Sequence, residues 1–401
     1  MVGGLLGFCL GAFAVGVGLR VDRAEAGGTL ERKAFDEAVD LVLDRYVDPV
    51  DANALLARGL RHMVAGLDAH SVYLDSAARD RLAAARRSGR VVGIHLESPL
   101  PGGEGWRVDS VVPGSPADEA GLREGESLLK IGGQPASDFV HALEAMLALR
   151  APGSDTIELV VRDAHGITRG VSVRSQVQPK TYAVESRLWR PSDAKSDQEA
   201  KIGVITIHVF APGVGDQVGR ALRELHRAAG GQLEGLVLDL RGNPGGEVDE
   251  ALIVAELFIA DGILTRTRGR GGKILREEHA HRRGTDERLP VAVLQDASSA
   301  SASELLAAAL QSHGRATIYG TRSYGKGTVQ NLHGLADGSQ LRLTVARYYD
   351  AKDRLIDGVG VQPDVRLGAM QMRAPMRETM RHFGRELDAL AKADYDRKPR
   401  G

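Results

Sequence analysis

The chain has 401 residues, of which 43% are hydrophobic and 26% charged, the balance of a globular protein long enough for two or three domains. A formal net charge of −1 excludes a general nucleic-acid binder, since phosphate contacts draw on a basic surface. The single cysteine, Cys9, excludes a disulfide framework.

In chain order, residues 2–19 carry no charge and are almost all apolar or glycine, and Arg20, Asp22, Arg23 and Ala24-Glu25-Ala26 follow. Residues 1–26 therefore read as a targeting segment, either a cleaved signal peptide or a membrane anchor through 2–19. Phe8 stands where lipid attachment to Cys9 would want a small residue. Residues 27–85 form a helical N-terminal region, with helix expected from Thr29 to about Leu74. Phe35, Val39, Val42 and Tyr46 share one face up to a stop at Pro49, and Leu56, Leu60 and Met63 share another. Leu67-Asp68-Ala69-His70-Ser71-Val72-Tyr73-Leu74 follows, and a lone histidine in such a turn is structural more often than catalytic.

Residues 86–175 carry Val91-Val92-Gly93-Ile94, then V-D-S-V-V-P-G-S-P-A from Val108 to Ala117, Gly121-Leu122, and Leu128 to Gly133. This order of strand, short helix, turn and strand resembles a PDZ domain, with a groove helix expected from Ser137 to about Leu149. The resemblance implies that Gly93 and Ile94 bind substrate, their loop amides holding a C-terminal carboxylate while the tail adds as a strand. His95 departs from the glycine usual at the next loop position.

The stretch 176–368 reads as an α/β core. Ile202–Ile207 is a strand, Gln217–Ala229 an amphipathic helix, and Leu236 to Gly246 a strand running into the turn Asn243-Pro244-Gly245-Gly246. The basic run Arg266–Lys273, soon answered by Glu277 and Glu278, suits a solvated hairpin. His279 and His281 are too sparse for a metal site, and no H-E-x-x-H is present. Residues 369–401 form a charged, helical tail.

The chemistry concentrates between Ser298 and Gln330. Val291–Leu294 reads as a buried strand, and Leu305, Leu306, Ala309 and Leu310 as a helix closed at Gly314. Ser301 stands at the turn between them, where helix-end amides lie close to its hydroxyl. Ser301-Ala302-Ser303-Glu304 also reads as a capping box, and alone that plain reading is favoured. Gly320 to Lys326 fits G-x-x-x-x-G-K, but Gly327 stands where a phosphate loop needs Ser or Thr, and no helix is expected to follow. Lys326 instead lies between Gly325 and Gly327, whose missing side chains permit close backbone packing. A lysine packed inward loses solvation, its pKa falls, and it becomes a general base. Gln330 stands downstream to hold its amine by a hydrogen bond.

Ser299-Ala300-Ser301-Ala302-Ser303-Glu304 with Tyr324-Gly325-Lys326-Gly327-Thr328-Val329-Gln330 resembles the signature of the C-terminal processing peptidases. Asp239-Leu240-Arg241-Gly242-Asn243-Pro244-Gly245-Gly246, the Leu67–Leu74 run and Gly358–Asp364 resemble further motifs of that family. The resemblance spans about Thr29 to Leu367. It implies an α+β multidomain protein with an inserted PDZ domain and a core of the crotonase/Clp-like type. It also implies a serine endopeptidase acting near flexible C-terminal tails, without metal or cofactor. Ser301 falls on the nucleophile, Lys326 on the base, Gln330 on its orienting residue, and Gly246 and Ala302 on the oxyanion donors. Protein substrates, an adaptor or activator, and a second copy of the chain are the implied partners, in the bacterial cell envelope. Two competing readings remain: a non-catalytic PDZ adaptor, and a Ser-His-Asp enzyme using His208 or His333. His313 lies about 18 Å along the helix from Ser301 at ~1.5 Å per residue.

Overall fold

We describe a computed structural model covering residues 29–88, 90–97, 105–112, 115–150, 155–177, 183–189, 201–231, 233–281, 284–368, 376 and 378–386. Residues 1–26, with the targeting segment and Cys9, lie outside the described residues, as does most of the C-terminal tail.

The described residues begin with helices α1 (Thr29–Arg45) and α2 (Ala52–Ala65), the latter capped by Asp51, whose Oδ1 accepts the Ala54 amide at 2.7 Å. Helix does not continue to Leu74. Asp68 closes a turn, β1 (Val72–Leu74) is a fully buried strand, and α3 (Ser76–Ser88) follows. The apolar α1 face is largely exposed, with Phe35 at 57% and Tyr46 at 60%.

Strands β2 (Arg90–Val91) and β9 (Gln176–Val177) pair antiparallel and form a neck. Between them β3 (Ile94–Glu97), β4 (Trp106–Val111), β5 (Ser127–Ile131), β6 (Gln134–Pro135), β7 (Thr156–Arg162) and β8 (Thr168–Arg174) make one antiparallel sheet. With the short helix α4 (Pro116–Glu119) and with α5 (Ala142–Ala148), it encloses a core around Trp106, Leu128 and Leu159. The groove helix is shorter than Ser137–Leu149. A 3-10 turn covers 136–138, and the chain extends until His141 caps α5 by accepting the Leu143 amide on Nδ1 at 3.0 Å. Leu143 and Leu147 of α5 pack on Val72, Leu74, Ala78 and Ala85, which joins this unit to β1 and α3.

The remaining chain supplies β10 (Val184–Leu188), β11 (Ile202–Ile207), α6 (Val214–Ala228), β12 (Gly235–Asp239) and α7 (Val248–Glu256). The hairpin β13 (Ile263–Arg268) and β14 (Ile274–His279) comes next, then β15 (Val291–Gln295), α8 (Ala302–Ser312) and β16 (Ala316–Gly320). Last come β17 (Thr328–Gly334), β18 (Gln340–Asp350) and β19 (Val365–Arg366). β11, β12, β15, β16 and β19 are parallel neighbours in that order, edged by antiparallel β10. Both faces of this sheet are buried, which explains why β12 and β15 read as continuous apolar runs. Ile205, Leu238, Val293 and Ile318 face α6, α7 and α8, while Val204, Val237, Leu294 and Tyr319 face Met376, Met380 and Phe383. A second sheet runs β1-β18-β13-β14, with β17 also paired to β18.

Candidate active site

Parallel α/β sheets present their ligand sites at the carboxyl ends of strands, and β15 delivers Ser301 there. Ser301 has φ 58° and ψ −116°, a left-handed conformation that costs a non-glycine residue about 1–3 kcal/mol and persists only where neighbours impose it. They do so here. Ser299 Oγ donates to Leu240 O at 2.8 Å and accepts the Asp296 amide at 3.0 Å. Asp296 Oδ1 accepts the Ser298 and Gly242 amides. Asn243 O accepts both the Ala300 amide and Ser303 Oγ at 3.0 Å. A half-buried serine is thus held at the head of a fully packed helix.

The glycine turn abuts this elbow. A Cβ on Gly245 would stand 2.7 Å from Ala300 O and 2.9 Å from both Ala302 N and Ser301 Cβ. One on Gly246 would meet Phe210 O at 2.1 Å. Buried Asn243 fixes the turn, with Oδ1 accepting the Gly245 amide and Nδ2 donating to Ile207 O, each at 2.8 Å. Gly246 and Ala302 therefore lie on two segments that meet at Ser301, and Ala302 opens α8, where amides have no partner within the helix.

Lys326 arrives on the irregular segment before β17. The close packing expected of its glycines is present. A Cβ on Gly327 would lie 2.4 Å from Asp357 N, and Gly325 O accepts the Gly358 amide at 2.8 Å. No helix follows Lys326, so the phosphate-loop geometry is absent from this described stretch.

Glu304 joins the two halves, beyond the cap that its spacing from Ser301 implies. Its side chain is 0% exposed. Oε2 accepts the Ser301 and Lys326 amides, each at 2.8 Å. Oε1 accepts Ser323 Oγ at 2.5 Å and the Gly325 amide at 2.6 Å. Burial pushes this carboxyl above its usual range, opposed by the four donors. A cap spaced S-x-x-E gives no sign of the other three bonds, which arise across the fold.

Gln330 Nε2 donates to His70 O at 2.7 Å. His70 stands near Lys326, and burial holds its imidazole below the usual value. The other histidines sit elsewhere: His313 Nε2 lies 2.8 Å from Ile263 O, His208 pairs with Glu185 at 3.4 Å, and His333 is exposed. His279 and His281 pair with Glu277 and Glu256. In the PDZ-like unit Gly93 has φ 80° and its carbonyl accepts the Val112 amide, while Ile94 is buried in that unit's core. His95 reaches the catalytic region, its ring 5.3 Å from that of Tyr324, and burial pushes the Tyr324 hydroxyl up to about 12.

Residues 201–367 match peptidase family S41 and residues 107–163 match the PDZ domain. A carboxy-terminal-processing protease of Bartonella bacilliformis is 31% identical over 82% of this chain and 74% of its own length. The chain belongs to this protease family. A carboxy-terminal processing protease of Bacillus subtilis is 28% identical over 86% of the chain and 71% of its own. The solved photosystem II D1 C-terminal processing protease superimposes with a TM-score of 0.65 at 28% identity, covering 83% of this chain and 86% of that one. The protease is accordingly a serine peptidase with an S41 core and a PDZ domain.

Proposed function

We propose that this peptidase cleaves proteins at or near flexible C-terminal tails, with Ser301 as nucleophile and Lys326 as general base. One observation carries the reading: the buried Glu304 carboxylate takes the amides of both Ser301 and Lys326, which fixes the two segments to each other. In this mechanism neutral Lys326 Nζ accepts the Ser301 proton as Oγ attacks the scissile carbonyl. The Gly246 and Ala302 amides stabilise the oxyanion. Lys326 then protonates the leaving amine, and afterwards deprotonates the water that releases the acyl group. Gln330 Oε1 holds the amine in line. The test is mass spectrometry of envelope proteins with and without Ser301→Ala, where lost C-terminal truncation is expected and identical termini would overturn the proposal.

The PDZ domain gathers tails through Gly93 and Ile94 and limits access to Ser301, a reading supported by the His95–Tyr324 contact. We assign the core to the crotonase/Clp-like type, supported by the consecutive parallel strands with α6, α7 and α8 on one face. Residues 2–19 direct the catalytic part out of the cytoplasm into the bacterial envelope. A fusion of residues 1–40 to a reporter active only outside the cytoplasm tests this, and silence would sink it. An adaptor or activator protein, and a second copy over the exposed α1 face, are the remaining partners of this reading.

A further inference from the structure

The geometry points to Asp68 as a positioning residue for the general base, acting through the His70 carbonyl and Gln330. The inference rests on the proposed role of Gln330 in holding Lys326.

Asp68 builds the turn that presents that carbonyl. Its Oδ1 accepts the His70 and Ser71 amides, each at 2.7 Å, and its Oδ2 accepts Ser71 Oγ at 2.9 Å. An aspartate taking amides two and three residues ahead fixes the local backbone, and here it sets the direction in which His70 O points. That oxygen receives Gln330 Nε2 at 2.7 Å.

The turn is also pinned to the strand opposite Gln330. Ser71 Oγ accepts the Thr344 amide at 3.1 Å, and Thr344 Oγ1 donates to Asp68 Oδ1 at 3.2 Å. Thr344 is the register partner of Gln330 in the β17–β18 ladder. The pairing shifts there from Val329 with Ala346 to Gln330 with Thr344, so Val345 is an extra residue and the ladder bulges. Bulges re-aim side chains. The bulge swings Gln330 toward the turn, and the Asp68 carboxylate ties both ends of the swing together. Gln330, Thr344, Asp68 and His70 close a ring of pairing and hydrogen bonds around this carboxylate. Burial alone would raise its pKa, but the four bonds together outweigh burial and hold it below the ordinary value, so it is ionised at neutral pH.

A residue that only stabilised the start of β1 would act independently of Gln330. A double-mutant cycle separates the two cases. Purified full-length Asp68→Ala, Gln330→Ala and the double variant are compared by kcat and KM on a tailed substrate, with thermal melting alongside. Asp68→Ala should lower kcat about tenfold with KM little changed, and the double variant should be no slower than Gln330→Ala. Asp68→Asn, which keeps an oxygen for the two amides, should recover most of the rate. Thr344→Val should lower kcat and likewise add nothing to Gln330→Ala. Multiplying effects in the double variant, or a loss in Asp68→Ala that Asp68→Asn does not recover, would overturn the inference. A wild-type rate for Gln330→Ala would instead remove Gln330 from the dyad, and the inference with it.

Discussion

At the scale of single residues the site depends on side chains that are missing as much as on those present. Gly327 does not have the positive φ of its neighbour Gly325, so only space forbids a side chain there, and a Cβ would meet Asp357 N at 2.4 Å. Gly327→Ala should therefore displace Lys326, with kcat falling and stability dropping by about 1–3 kcal/mol, checked by kinetics and thermal melting. Glu304→Gln tests the junction. An amide has one acceptor oxygen, so its NH2 would face a pair of N–H or O–H donors, at a cost of about 1–3 kcal/mol. Activity should fall even below the melting temperature, and an unchanged rate would disconnect Glu304 from the dyad. Lys326→Arg and Lys326→Ala should both abolish turnover, since arginine does not release its proton. Ser301, Lys326 and Gln330 were singled out because their spacing and glycines are local signals, and their proposed roles await the kinetics above. Asp68 and the wider role of Glu304 were not, because their partners are set by sheet register across as many as 276 positions of chain.

At the scale of elements, β12 and β15 were legible from their unbroken apolar runs, and α8 from its leucines and Gly314, whereas the short parallel strands β16 and β19 were not read. The groove helix was misjudged because His141 takes the cap from inside the expected span. The run to Leu74 was misjudged because a three-residue buried strand has no period to detect. The PDZ unit is attached by β2 and β9, paired as Arg90 with Val177 and Val91 with Gln176. Replacing residues 92–175 by Asn-Gly should close that pair as a hairpin with a favoured two-residue turn. The shortened enzyme should lose cleavage of a tailed protein far more than cleavage of a short peptide. Equal losses would deny the domain a gathering role.

At the scale of the molecule, three histidines line the meeting of PDZ unit and core. Burial lowers His70, His95 and His141, the last to about 4, with Arg342 and Arg150 adding repulsion and Asp68, Asp109, Asp296 and Asp357 opposing it. Their folded values lie below the unfolded ~6.5, so the folded state binds fewer protons between. Their contribution is complete above about pH 6.5 and is lost as pH falls, by about 2 kcal/mol for His141 alone once pH 5 is reached. Acidification from pH 7.5 to 5 should thus release the PDZ unit reversibly, read as new proteolytic cleavage at the neck. Identical digests at both values would refute this. The neck also decides what kind of motion release permits. A two-stranded ribbon resists stretch and in-plane shear but bends readily across its flat face. Arg90, bonded to Asp155 and to Ser175 O, stiffens its junction with the domain. The freed domain stays tethered at one place, so its release takes His95 away from Tyr324 without parting the domain from the core.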